Sequence, residues 1–169
     1  SGEAEHINAV VKLEKDALDN VEILIAAVDM GQGVKTTMRK IVANVLEMPI
    51  EKIIYNFPDT NKVPDSGPTV ASRTIMIVGG LVARAALKLK RNWKKESYQI
   101  VEERYKQPEY IKWDEKHFIG DAYPAYSWGV NIVEVEIDKV TYQVSEKETW
   151  NAYDVGKAID EQIILGQAD

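Results

Sequence analysis

Val63-Pro64-Asp65-Ser66-Gly67-Pro68-Thr69-Val70-Ala71-Ser72-Arg73-Thr74 is a polar, turn-rich stretch running straight into the longest apolar helical pattern of the chain, residues 70–90. Pro64 and Pro68 fix φ and lack an N–H, and Gly67 permits backbone conformations that other residues avoid. The helix opens on the small and hydroxylated residues Thr69, Ala71, Ser72 and Thr74. The first turn of a helix carries free N–H groups and a partial positive charge, and small side chains let a ligand approach the backbone. Such a stretch can hold an anion; an ordinary capped helix would read the same. Further along, Val78, Leu81, Val82, Ala85 and Leu89 form the core stripe. Gly79 and Gly80 interrupt it at about 1 kcal/mol each relative to Ala, which predicts the close approach of another element. Lys88, Lys90, Arg91, Lys94 and Lys95 gather where cations suit the helix dipole and read as a solvated end.

Upstream, Ile7, Val10, Val11 and Leu13 predict a strand over residues 5–13, and an Asp- and Asn-rich turn follows at 16–20. Residues 21–28, VEILIAAV, read as a buried strand, and the short connection predicts a hairpin. Next comes Asp29-Met30-Gly31-Gln32-Gly33. Two glycines around one glutamine make a tight turn that keeps an amide close to the backbone. An amide both donates and accepts, so it can bind a polar ligand edge without charge. A solvent-facing turn is the plain alternative, and Gly-x-Gly alone is weak. Met38, Ile41, Val42, Val45 and Leu46 then form a helical core stripe that Pro49 ends. Ile53, Ile54 and Tyr55 predict a short strand within 50–57, and Pro58-Asp59-Thr60-Asn61 turns the chain into the opening stretch.

Downstream, residues 92–107 are polar and mildly helical until Pro108, residues 110–113 read as a short strand, and 114–124 as loop. Tyr123, Tyr126 and Trp128 read as a core edge. Val130, Ile132, Val133, Val135 and Ile137 against Glu134 and Glu136 predict a half-buried strand over 127–138. A turn near Lys139 and residues 141–154 complete a second hairpin, and 159–165 predict a short helix. No repeat or linker divides the chain. The expectation is one α+β domain over residues 3–169, β-hairpins packed with two main helices, with Ser1-Gly2 as a cloning scar.

Composition narrows the function. A length of 169 residues with 45% hydrophobic and 28% charged residues supports a real core. The net charge of -6 argues against nucleic acid, whose phosphates need a basic face. The longest apolar run, residues 75–81, is too short to span a membrane. The polar, acidic start lacks a signal peptide, so a cytoplasmic location is expected. There is no cysteine, hence no thiolate ligand or sulfur nucleophile. His6 and His117 are the only imidazoles and lie far apart, so a histidine metal site is not expected.

Four segments in fixed order carry a resemblance. They are Asp29-Met30-Gly31-Gln32-Gly33, Pro64 through Arg73, Trp128-Gly129 with Val133 through Asp138, and Tyr153-Asp154-Val155-Gly156-Lys157-Ala158-Ile159 ending in Gly166-Gln167. Together they resemble the molybdenum-binding subunit of the xanthine dehydrogenase and aldehyde oxidase family over residues 21–167. The resemblance implies a molybdopterin cofactor, often a cytosine dinucleotide in bacteria. It also implies oxidation of purines, other heterocycles or aldehydes, with water as the oxygen source. Electrons would leave through iron–sulfur and flavin partners. It implies pterin contacts from Gln32 between Gly31 and Gly33, from the segment Thr69, Val70, Ala71, Ser72, Arg73 and Thr74, and from Gln167.

The departures from the family pattern are Asp29 in place of Glu, Asp160-Glu161 in place of Asn-Pro, and Val140-Thr141-Tyr142 without Gly after Thr. The family's catalytic Glu, in a Gly-Glu-Pro-like motif downstream, and its upstream Phe-Arg-x-Phe-Gly segment have no counterpart here. Glu134 and Glu136 lie on the polar face of a strand, and Asp154 reads as a cap or turn residue. The chain is therefore expected to be part of a larger molybdopterin-binding domain that partners the rest of the molybdenum subunit. By itself it is expected to be inactive, with no catalytic residue, metal ligand or bound cofactor of its own. The competing expectation is a free-standing small-anion-binding or interaction module without a redox role.

Overall fold

The structure, a computed structural model, describes residues 8–70, 72–114 and 116–168. The chain forms two compact units, residues 1–124 and residues 125–169. The first holds a four-stranded sheet built from β1 (Val10–Lys15), β2 (Val21–Leu24), β3 (Ile53–Ile54) and β4 (Gln99–Arg104) in the order β3-β2-β1-β4. β1 runs antiparallel to both β2 and β4, and β2 runs parallel to β3. The β1–β2 hairpin closes on Asp16, whose carboxylate accepts the N–H groups of Leu18 (2.9 Å) and Asn20 (2.8 Å). Lys15 is fully buried beside it; its ammonium donates to the Ser97 carbonyl at 2.8 Å and pairs with Asp19.

Helices α1 (Val34–Leu46) and α2 (Gly80–Arg91) pack on each other, and α2 lies over β1 and β4. Met38, Ile41, Val42 and Leu46 of the expected α1 stripe are buried, with Thr37 and Ala43, while Val45 is half-buried. From α2, Leu81, Val82, Ala85, Ala86 and Leu89 are buried, as are Val11 and Leu13 of β1, on which α2 packs. Gly79 packs closely on α1: a Cβ there would lie 3.3 Å from Ile41 Cδ1. Gly80 faces only the Arg84 guanidinium, so the expected close approach holds for one of the two glycines. The basic end of α2 is paired, Lys88 with Glu103 and Lys90 with Glu47.

Several expected boundaries move. The helix expected from residue 70 starts at Arg73, and residues Thr74–Gly79 wind as a π-helix before α2. Ser72 has φ 60, in the left-handed region, and the Arg73 N–H closes a turn on the Val70 carbonyl at 2.9 Å. A left-handed residue cannot lie inside a right-handed helix, so Thr69 and Val70 precede the first turn. The segment expected to be helical, 92–107, contains β4 instead. The free edge of β1 offers it six residue pairs, Val10↔Arg104 to Lys15↔Gln99, and this pairing overrides weak local propensity. β1 starts later than expected; residues 5–7 lie outside the described residues. β2 leaves the ladder at Leu24, although Ile25 and Ala27 remain buried.

A small hairpin, β5 (Trp113–Asp114) with β6 (Ile119–Gly120), follows. In the second unit β7 (Trp128–Ile137) and β8 (Val144–Asp154) form the expected antiparallel hairpin, with a bulge at Glu134/Val135. Its turn closes on Asp138, which accepts from Val140 (2.7 Å) and Thr141 (3.0 Å), and Tyr142, standing where the family pattern has Gly after Thr, takes φ 58. Helix α3 (Glu161–Ala168) ends the described chain. The half-buried reading of β7 is corrected: Ile132 on one face is 58% exposed and Val133 on the other 51%. A two-stranded ribbon has no second layer to bury either face. Tyr123, Tyr126 and Trp128 are likewise exposed and form no core edge. No helix among the described residues is long and apolar enough to cross a membrane.

Candidate functional site

Residues 25–28 continue β2 without a strand partner. Buried backbone groups must nevertheless be satisfied. Here side chains from two distant segments do it. The Ala26 N–H donates to Ser66 Oγ at 2.8 Å. The Tyr55 hydroxyl donates to the Ala27 carbonyl. The Val28 N–H donates to Thr69 Oγ1 at 3.3 Å, and the Val28 carbonyl accepts from Gln32 Nε2 at 2.8 Å. Val28 therefore brings together Gln32 and Thr69, 37 residues apart in sequence and both expected site residues.

The Gly-Gln-Gly turn is locked from within. Gln32 Oε1 accepts the Met30 N–H at 2.6 Å, so both ends of the amide are engaged while the side chain stays exposed. Gly33, at φ 81, makes the left-handed entry into α1 that only glycine adopts without strain. Gly31 is open: a Cβ there would meet nothing within 4 Å. Asp29, the residue that departs from the family pattern, accepts from Lys35 N–H (2.8 Å) and Gly31 N–H (2.9 Å). The Lys35 N–H foremost, then that of Gly31, holds its carboxyl below the usual carboxylate range. Asp29 thus caps α1 and keeps a negative charge at its start.

Arg73 sits differently from the expectation of a residue reaching a ligand. Its guanidinium is buried and turned back onto its own loop, donating to the carbonyls of Ser66 (2.8 Å) and Pro68 (3.2 Å). A Cβ on Gly67, at φ 77, would collide with it. Thr74 is buried at the helix start, whereas Val70 and Ser72 are exposed. Ala71 lies outside the described residues. Gln167 is exposed on α3, in the second unit.

Two residues of the site were not singled out from the sequence. Ser66 lay in plain view in the opening stretch, but a serine in a turn carries no sign of a distant partner. Tyr55 gave a faint signal, since a tyrosine in an apolar strand needs somewhere for its hydroxyl. Burial, then the charge of Asp29, push its phenol up to about 12. The groups gathered here, the exposed Gln32 amide and the Thr69 hydroxyl beside the uncrowded backbone of Gly31, are neutral and can donate and accept. Among the described residues no cluster of His, Cys, Asp and Glu could hold a metal ion. This set fits the edge of a polar heterocycle such as a pterin, and it does not fit direct metal ligation.

Known proteins are similar to this chain in sequence and in fold. The family of the molybdopterin cofactor-binding domain matches residues 2–111 and 93–169. The xanthine dehydrogenase/oxidase of Felis catus is 29% identical over 161 residues, covering 83% of this chain and 12% of that protein. The nicotine 6-hydroxylase large subunit of Paenarthrobacter nicotinovorans is 34% identical over 86 residues, 51% of this chain and 10% of that one. The aldehyde oxidoreductase from Desulfovibrio desulfuricans superimposes with a TM-score of 0.74 at 19% identity, over 95% of this chain and 19% of that one, and so shares the α+β fold. The chain spans about an eighth of the length of the xanthine dehydrogenases it matches. With the matched regions reaching from residue 2 to residue 169, the chain belongs to the molybdopterin cofactor-binding domains of the xanthine dehydrogenase and aldehyde oxidase family.

Proposed function

We propose that this chain is the pterin-cradling part of a molybdenum hydroxylase that oxidises purines, other heterocycles or aldehydes with water as the oxygen source. The observation that carries the reading is the meeting of Gln32 and Thr69 at Val28. Gln32, with Gly31 and Gly33 beside it, would hold the pterin edge through its amide. Thr69, Val70 and Ser72 would line its flank, and for Gln167, in the second unit, a pterin contact stays what the family resemblance implies. Arg73 and Thr74 are inward and buried, and their part is to hold the loop in place. When bound, the cofactor supplies the redox centre, and the chain's own residues bind and orient it. The form of the pterin, whether a cytosine dinucleotide or not, belongs to this proposal, as do iron–sulfur and flavin partners and the rest of the molybdenum subunit. Among the described residues no cluster of His, Cys, Asp and Glu could hold a metal ion, and the isolated chain should purify without molybdenum and without turnover.

The alternative of a small-anion module finds less support. The Arg73 cation is committed to two carbonyls, and the start of α1 already holds the Asp29 carboxylate. The test is an amide-shift titration of the 169-residue chain with a soluble 6-substituted pterin, and separately with inorganic phosphate. Pterin should shift Gly31, Gln32, Gly33 and Thr69, and Gln32→Ala should remove the response. Phosphate shifts at residues 69–74 with no pterin response would favour the anion module. Shifts confined elsewhere would overturn both.

A further inference from the structure

Residues 25–28 link the end of β2 to the Gly-Gln-Gly turn, and no strand fixes their backbone. Three groups outside the turn anchor it. Ser66 Oγ takes the Ala26 N–H, the Tyr55 hydroxyl reaches the Ala27 carbonyl, and Thr69 Oγ1 takes the Val28 N–H. The first two are far more sheltered than the third: Ser66 is 0% exposed and Tyr55 4%, whereas Thr69 is half-buried at the mouth. Neither is at the exposed face that Gln32 presents. Ser66 is itself held, because its carbonyl accepts from the buried Arg73 guanidinium at 2.8 Å. The anchors run in one direction, from Arg73 to Ser66 to Ala26, and in parallel from Tyr55 to Ala27. Both lead to Val28, whose carbonyl takes the Gln32 amide.

We propose that Tyr55 and Ser66 are positioning residues for the candidate cofactor turn, acting through the backbone of residues 26–28 to set where the Gln32 amide sits. The proposal rests on the reading of that turn as a pterin contact. It makes the geometry of the turn depend on two hydroxyls that never meet the ligand. A buried hydrogen bond that lacks one partner leaves the other group unsatisfied, so the backbone shifts to find water or a new partner. No ladder hydrogen bond backs up either hydroxyl, since β2 ends at Leu24.

The experiment compares Tyr55→Phe, Ser66→Ala and Ser66→Thr with the parent chain by amide chemical shifts and by affinity for a soluble 6-substituted pterin. Tyr55→Phe and Ser66→Ala should move the Met30 and Gly31 amides and the Gln32 side-chain amide towards free-amide values. The amides of Val11 and Val101 in the sheet should stay where they are. Pterin affinity should fall about fivefold in each, the effect of one hydrogen bond. Ser66→Thr keeps the hydroxyl and should restore both readings. Unchanged Gln32 side-chain and Met30 signals in the folded variants would overturn the proposal, as would shifts spread equally over the sheet. Should Tyr55→Phe fail to fold, the Ser66 pair decides alone. Should the parent chain bind no pterin, the cofactor reading fails, while the amide shifts still decide whether Tyr55 and Ser66 position the turn.

Discussion

Arg73 and Tyr55 show how much a single side chain's direction decides. A cation beside a hydroxyl-rich loop reads as an anion ligand, yet the guanidinium points inward and ties Ser66 and Pro68 to the helix start. Arg73→Ala should therefore lower stability by about 2–3 kcal/mol, the scale of hydrogen bonds made by a charged donor, as measured by urea unfolding. Tyr55 yields a pH prediction with a definite sign. Burial raises its folded pKa from an ordinary 10.0 to about 12. Between those values the unfolded chain has lost the phenolic proton and the folded chain retains it, so stability is intact below pH 10 and falls as pH rises towards 12. Alkaline unfolding curves should show this decline, on the order of 2 kcal/mol, and Tyr55→Phe should flatten it.

The two neighbouring glycines of the long helix separate packing from propensity. Gly79, at the end of the π-helical turn, packs against Ile41 of α1, whereas Gly80 has room beside the Arg84 side chain. Gly80→Ala should stabilise the protein by up to about 1 kcal/mol through helix propensity alone. Gly79→Leu should destabilise it by about 2 kcal/mol by driving a side chain into Ile41. Thermal unfolding of the two variants checks both signs. The stripes of α1 and α2 were legible because a 3.6-residue period survives any partner. β4 was not, because its residues become a strand only when the edge of β1 is there to pair with.

At the scale of the whole molecule, the β7–β8 hairpin is the exposed feature that matters most. Ile132 and Val133 stand on opposite faces and both are more than half exposed, and Trp150, paired with Ile132 in register, is 45% exposed. Contiguous apolar surface of this kind favours association. The chain also spans about an eighth of the length of its xanthine dehydrogenase relatives. Light scattering should show concentration-dependent self-association of the chain, and Ile132→Lys should reduce it. A strict monomer across a wide concentration range would count against the prediction.

From the order of residues alone came the α+β class, the β1–β2 and β7–β8 hairpins, the α1 stripe and the Gly-Gln-Gly turn. These are local: short-range periodicity and turn chemistry specify them. The family resemblance implied ligand contacts from both Gln32 and Thr69 but could not say that they meet. Only the tertiary structure decided that Val28 joins them, that Tyr55 and Ser66 hold the strap between, and that Arg73 faces inward. The Tyr55, Ser66 and Thr69 bonds among these join segments 28, 40 and 41 residues apart in sequence. Such a bond leaves no trace in the spacing of either segment, because it is satisfied only when a buried backbone needs a partner and the fold brings one within reach.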